Sequence, residues 1–254
     1  MCLLVFARNR HPDYPLVVVA NRDEFHRRPS QQAHWWPQCP SVLAGRDLEA
    51  GGTWMGVDTN GRWAAVTNYR EGKREPAPRS RGELPADYLT GRSSPEVYAS
   101  SLAKAASAYA GFNLLVGDLE QVCYFSNRKR SVETIPDGIH TLSNHLLNTP
   151  WPKAELARLK LAQALRAPSL EVETLFAVLA DSQPFDDHEL PVTGVGLELE
   201  RTLSPPFIVG EEYGTRGTTV LMMDKRGQLV YAEQGFLPGG ARGELMLQEF
   251  SVNG

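Results

Sequence analysis

The chain has 254 residues, 42% of them apolar and 22% charged, which is enough apolar material for a substantial core. Its 26 Lys plus Arg against 30 Asp plus Glu give a net charge of −4 without a basic run, which argues against a nucleic-acid or anionic-membrane partner. The longest apolar stretches (16–20 and 220–223) are too short to span a bilayer, the opening lacks the basic segment of a signal peptide, and Cys2, Cys39 and Cys123 form no CxxC pair, so the expected setting is reducing and cytoplasmic.

Along the chain, residues 2–7 and 16–21 read as two apolar strands joined by the turn-rich segment 9–15. Residues 26–40, with several prolines, read as an extended loop whose Trp35 and Trp36 either pack beneath it or line a ligand groove. Segments 53–57 and 62–68 flank Asn60-Gly61, a hairpin turn in which both positions tolerate positive φ. Residues 71–81 are polar and read as a surface excursion. Helical spacing over 95–109 puts Val97, Tyr98, Leu102 and Ala105 on one face. A hairpin at 112–117 and 122–126 follows, then a short strand at 138–143. Pro150-Trp151-Pro152 suits a helix start, and 153–166 repeats Leu156, Leu159, Ala162 and Leu165 at helical spacing. Residues 172–180 read as another helix and 181–205 as a loop. A last hairpin, 218–224 with 228–234, turns on Lys225-Arg226-Gly227. Hairpins with helices grouped between them predict antiparallel sheets with helices on their outer faces, not alternating βαβ units.

Cys2 directly follows Met1, and a small residue there permits removal of the methionine. A free α-amine titrates at about 7.7–8.0 and a thiol at about 8.5, so a residue-one cysteine combines nucleophile and base. The other reading is a small apolar residue opening a strand. If the first two strands pair antiparallel about residue 12, facing residues sum to about 24. Cys2 then lies opposite Arg22, with Asp23 a step beyond. The guanidinium there favours the thiolate, and the carboxylate can hold the α-amino group.

Asn21-Arg22-Asp23-Glu24 resembles the motif that names the NRDE family, known also through transport and Golgi organisation protein 2. The resemblance runs on through Gly51-Gly52-Thr53-Trp54, Thr67-Asn68-Tyr69-Arg70, Phe112-Asn113-Leu114, Leu142-Ser143-Asn144, Pro150-Trp151-Pro152-Lys153, Leu190-Pro191 with Thr193-Gly194, and Tyr213-Gly214-Thr215-Arg216. It implies one α+β domain over 1–254 with an N-terminal-nucleophile fold, a four-layer αββα sandwich of two antiparallel sheets flanked by helices. A more distant similarity, to bile salt hydrolases and penicillin V acylases, implies catalytic roles for Cys2, Arg22, Asp23, Asn68 and Asn144. Asn21, Glu24, Trp54, Tyr69, Arg70 and Arg216 complete the implied site as binding residues. In those hydrolases the arginine and aspartate are separated by two residues. Here they are adjacent, and adjacent strand residues point to opposite faces unless the strand has ended or bulged.

Two functions follow from the resemblance. One is a Cys2-dependent hydrolase of amides or thioesters that requires no cofactor. The other is a carrier that holds haem, acyl-CoA or another lipid in the same cleft, expected to be apolar and bordered by Trp35, Trp36 and residues 68–70. Cys39-Pro40 resembles a minimal haem-responsive dipeptide. The six histidines show no metal-ligand spacing, and Asp186-Asp187-His188-Glu189 reads as a polar loop, so no metal site is expected.

Overall fold

A computed structural model describes residues 3–72 and 77–252. Strands are numbered along the chain. The first sheet contains β1 (Leu3–Arg8), β2 (Leu16–Phe25), β10 (Gly138–Leu142), β11 (Tyr213–Met223), β12 (Gln228–Phe236) and β13 (Arg242–Ser251), in the spatial order β10-β1-β2-β11-β12-β13. The second runs in chain order from β3 (Ser30–Trp36), β4 (Cys39–Asp47), β5 (Met55–Asp58) and β6 (Trp63–Asn68) to β7 (Phe112–Gly117), β8 (Val122–Ser126) and β9 (Val132–Thr134). All pairings within both sheets are antiparallel.

Side-chain alternation explains the four layers. On β1 and β2, Leu4, Phe6, Leu16, Val18 and Ala20 point into a core shared with Leu43, Met55, Trp63, Ala65 and Leu115 of the second sheet. Their neighbours Leu3, Val5, Val17 and Val19 point the other way, under α3 (Pro152–Ala164) and α4 (Val172–Phe176). The second sheet likewise turns Val42, Ala44, Ala64, Val66 and Leu114 outward beneath α1 (Glu83–Thr90) and α2 (Pro95–Ser101). Strands covered on both faces read as continuous apolar runs, which is why 2–7 and 16–21 stand out in the sequence. A fifth helix, α5 (Leu197–Thr202), lies before β11. Among the described residues, no helix is long and apolar enough to cross a membrane.

Several local expectations are corrected. Residues 26–40 are not a loop: they form most of the β3–β4 hairpin, with Trp36 opposite Cys39. The prolines are compatible because Pro29 precedes β3, Pro37 lies between the strands, and Pro40 precedes the Val42–Ala44 stretch that pairs with β5. The helix expected over 95–109 ends at Ser101 and continues as two 3-10 turns, leaving Val97 exposed. In α3 the proline sits at the helix start as expected, but the buried stripe is Ala154, Ala157 and Leu161, and Leu159 faces solvent. Small alanines let the helix lie close on the sheet, so the leucine spacing marks the wrong face. The Asn60-Gly61 turn holds positive φ only at Gly61 (74°), and Gly227 has φ of 76° in the last hairpin. Of the surface excursion at 71–81, residues 73–76 lie outside the described residues; Glu71 pairs with Arg128, and Arg79 with Glu83.

The two leucines of α3 provide a direct check on its phase. Leu161→Ala should destabilise the protein by about 2–5 kcal/mol through lost burial and a residual cavity. Leu159→Ala should stay within about 0.5 kcal/mol. Urea unfolding of both variants measures the difference, and equal effects would contradict the helix orientation.

Candidate active-site cleft

The first hairpin has the expected register, with Leu3 opposite Asn21 and Leu4 opposite Ala20. Cys2 itself lies outside the described residues. Arg22 continues the inward column of Val18 and Ala20 yet is only 6% exposed. Its guanidinium stacks on the Trp54 indole, 4.2 Å from the ring centroid, and its hydrogen bond to Ser30 Oγ is long at 3.4 Å. Burial pushes its pKa down and Arg216 adds to this, while Glu24, Asp47 and Glu233 oppose the shift. An arginine stays protonated in such a setting, so the position holds a desolvated cation with most of its five N–H groups uncommitted among the described residues.

Arg22 and Trp54 line a cleft of about 1010 Å³ together with His34, Arg216, Glu233 and Glu244. Apolar side chains, among them Phe236, Leu237, Leu245, Met246 and Leu247, make up much of the lining, as expected from the sequence, and these charged groups interrupt it. Arg216 owes its place there to a bulge. Thr215 pairs with Asp23 and Gly217 with Arg22, leaving residue 216 as the extra residue on β11. Its Nη1 donates to the carbonyls of Phe25 and Arg28, and its buried Nε has no partner. Glu233 follows Leu229 and Tyr231 on the inward face of β12 and is 5% exposed. Its Oε2 has no hydrogen-bond partner among the described residues. Burial raises its pKa to about 7 against the opposing pull of Arg22, the Ala33 amide and the Thr219 hydroxyl.

The other NRDE residues face elsewhere. β2 continues unbroken to Phe25, so Arg22 and Asp23 diverge, and the irregularity falls on β11 instead. Asp23 is buried and accepts a 2.7 Å hydrogen bond from Thr215 Oγ1. Asn21 donates to the Leu179 and Pro206 carbonyls and accepts from Thr218 Oγ1, tying the helical layer to the sheet. Glu24 accepts from the Phe25 amide and lies 4.0 Å from Arg28.

A second cluster gathers around Asn144, just past the end of β10. Its Nδ2 donates to the Asn68 carbonyl at 3.1 Å, and its Oδ1 accepts from Arg70 Nη2 at 3.3 Å. Arg70 also pairs with Glu200 at 2.5 Å and lies over Trp151, while Glu200 holds the Thr193 amide and hydroxyl. Tyr69 packs on His145. Alternation along β6 puts position 68 in line with Ala64 and Val66, under the helices, whereas Thr67 turns inward and donates to the Ser143 carbonyl. Asn113 supports this junction through Thr67 Oγ1 and the His145 carbonyl.

Glu200 and Glu233 escape the sequence reading. For Glu233 a signal exists: a charge continues the inward alternation of Leu229 and Tyr231. Neither indole of 35–36 lines the cleft. Trp36 belongs to the outer core, and Trp35 packs on Phe250 with its Nε1 on Gln248. Cys39 also packs against the outer core, away from the cleft lining. Asp187 is held by Arg201 at 2.6 Å, beside the exposed Asp186, His188 and Glu189.

The family profile described as Transport and Golgi organisation 2 matches residues 1–238. The chain belongs to that family. It is 31% identical to the Transport and Golgi organization 2 homolog of Mus musculus, with 99% of each chain covered. It is 32% identical to the Homo sapiens homolog over 93% of this chain and 94% of that one. Among solved structures it resembles a Caenorhabditis elegans N-acylethanolamine-hydrolyzing acid amidase ortholog (TM-score 0.50, 11% identity, 87% of this chain and 92% of that chain). It also resembles the C2A mutant of conjugated bile acid hydrolase from Clostridium perfringens (TM-score 0.51, 9% identity, 99% and 92%). The chain thus shares its αββα fold with these two hydrolases. The family match ends before β13, whose residues 243–248 form one wall of the cleft.

Titration of Glu233 should be visible in stability. Because its pKa is raised from 4.5 to about 7, the native state binds this proton more tightly than the unfolded state. The contribution is complete below pH 4.5 and is lost as pH rises through about 7. Relative to Glu233→Gln, the wild type should lose on the order of 3 kcal/mol between about pH 4.5 and about pH 7.5. Denaturant unfolding at several pH values measures this, and a constant difference would contradict the raised pKa.

Proposed function

We propose that the protein is an N-terminal-cysteine hydrolase acting on an amide or thioester carbonyl. The observation that carries the proposal is Arg22: a buried, desolvated guanidinium with uncommitted donors, facing a large cleft one residue beyond the Leu3–Asn21 pair. Cys2, the residue before Leu3 in the sequence, is the nucleophile in this proposal. Two hydrolases share the fold, which is the scaffold this chemistry uses.

In this reading, loss of Met1 frees the α-amine of Cys2. The amine takes the thiol proton, and the thiolate attacks the carbonyl carbon. The tetrahedral oxyanion accepts a hydrogen bond from Asn144, whose Nδ2 carries a second N–H beyond the one given to the Asn68 carbonyl, while Asn68 holds that amide in place through its backbone. Collapse expels the amine or thiol, which leaves with the proton held by the α-amine, and water then releases the acid from the thioester intermediate. Arg22 favours the thiolate. Asp23, on the opposite face, suits a backbone amine better than a side-chain thiol, which gives both adjacent charges a role.

The test uses Met1-free protein. Arg22→Ala should raise the Cys2 thiol pKa by about one to three pH units and slow its alkylation near neutral pH. Cys39 and Cys123 should keep their rates, and Arg22→Lys should restore part of the effect. Residue-resolved mass spectrometry after iodoacetamide labelling reads all three sites. Identical Cys2 profiles in wild type and Arg22→Ala, with saturable acyl-CoA or haem binding and no turnover, would replace the hydrolase by a carrier.

A further inference from the structure

The floor of the cleft beside Arg22 is bare. Arg22 pairs with Gly217 across β2 and β11, and Gly217 pairs with Gly235 across β11 and β12, so two consecutive places in this row lack side chains. All three residues line the cleft. A Cβ built on Gly217 meets only ordinary contacts, among them Glu233 Cγ at 3.8 Å and Cδ at 3.9 Å, whereas one on Gly235 would lie 3.3 Å from the Glu244 carbonyl, so the room is at Gly217, directly against the Glu233 carboxyl. The open strip is therefore bounded by a buried cation with free donors and a buried acid with a free acceptor.

Glu233 is anchored at the backbone, where Gln32 Nε2 donates to its carbonyl. Among the described residues its Oε2 nonetheless has no hydrogen-bond partner, Arg22 and Arg216 included, although both cations line the same cleft. Such an acceptor is costly to leave unpaired in a native site, which makes it a candidate for ligand contact. A trans secondary amide presents its C=O and N–H in opposite directions. That polarity matches donors at Arg22, which pairs with Gly217, and an acceptor at Glu233, one inward position along β12 from Gly235. A thioester or ester offers the carbonyl alone and leaves the acid unpaired.

We infer that Glu233 is a specificity-determining, ligand-contacting residue, whose Oε2 accepts the N–H of a secondary amide lying on the bare floor at Gly217 and so selects amides over thioesters and esters. The inference rests on the proposed reading that this cleft takes acyl compounds.

The experiment measures binding by calorimetry to the full chain carrying Cys2→Ala, so that no turnover intervenes. The probes are N-ethyloctanamide, its N-methyl derivative and S-ethyl octanethioate. The secondary amide should bind about 10- to 100-fold more tightly than the other two. Glu233→Leu should bring the three affinities together. Measured above the raised pKa of about 7, where Glu233 is ionised, Glu233→Gln, which keeps the shape if leucine prevents folding, should reduce the preference at least about threefold, a neutral acceptor being weaker than an ionised one. Gly217→Ala should weaken all three probes alike, because it occupies the floor without touching the hydrogen bond. Equal binding of the three probes, a preference that survives both Glu233 variants, or no saturable binding of any probe would overturn the inference. Turnover by protein with an intact Cys2 is scored separately. A Glu233-dependent preference without turnover would leave this inference standing and remove the hydrolase reading, whereas turnover of amide and thioester without preference would do the reverse.

Discussion

Everything in this molecule that resembles a site depends on burying one guanidinium where two sheets meet. The inward column of β2 is apolar through Leu16, Val18 and Ala20, and the next inward position is Arg22. A bare cation there would be strongly disfavoured by desolvation. Trp54 makes the position tenable by offering its π face, an interaction of about 2 kcal/mol or more when water is excluded. The indole in turn lies where any side chain at Gly45 would collide with it, so a glycine in β4 sets the ring that holds the arginine. The shared core thus ends in a charged wall because one ring and one glycine permit it.

The polar groups of the interior fall into two kinds. Asn21, Asp23, Asn113, Asn144 and the Arg70–Glu200 pair are engaged by neighbours and fasten loops and helices to the sheets. Arg22, Arg216 Nε and Glu233 Oε2 are buried around one cleft with donors or an acceptor left over. The αββα frame is common to unrelated chemistries, and it is this second kind that gives the cleft a chemical character of its own.

Much of this was legible in the residues. The β1–β2 register followed from counting about the turn, because pairing parity leaves little freedom once both strands are covered on two faces. The hairpins at Gly61 and Gly227 followed from turn chemistry. The divergence of Arg22 and Asp23 followed from strand alternation alone. The β3–β4 hairpin was hidden because prolines at an edge and a turn resemble those of a loop. The phase of α3 was hidden because alanine, not leucine, marks its buried face. Arg216 could not be placed because a bulge resets alternation without a sequence signature, and Glu233 gains its meaning only from Gly217 and Gly235 on adjacent strands.

The position of β1 and β2 inside the first sheet bears on how the chain is made. They can pair with each other as soon as residue 25 has left the ribosome, but their outer edges meet β10 at 138–142 and β11 at 213–223. At translation rates of about 5–20 residues per second, the partner of β2 follows roughly ten to forty seconds later. During that interval a hairpin of almost uninterrupted aliphatic residues has two unsatisfied edges and two uncovered faces. A nascent chain of this topology is therefore a natural client for holding chaperones, and slowing its synthesis would lengthen its exposure instead of helping it fold.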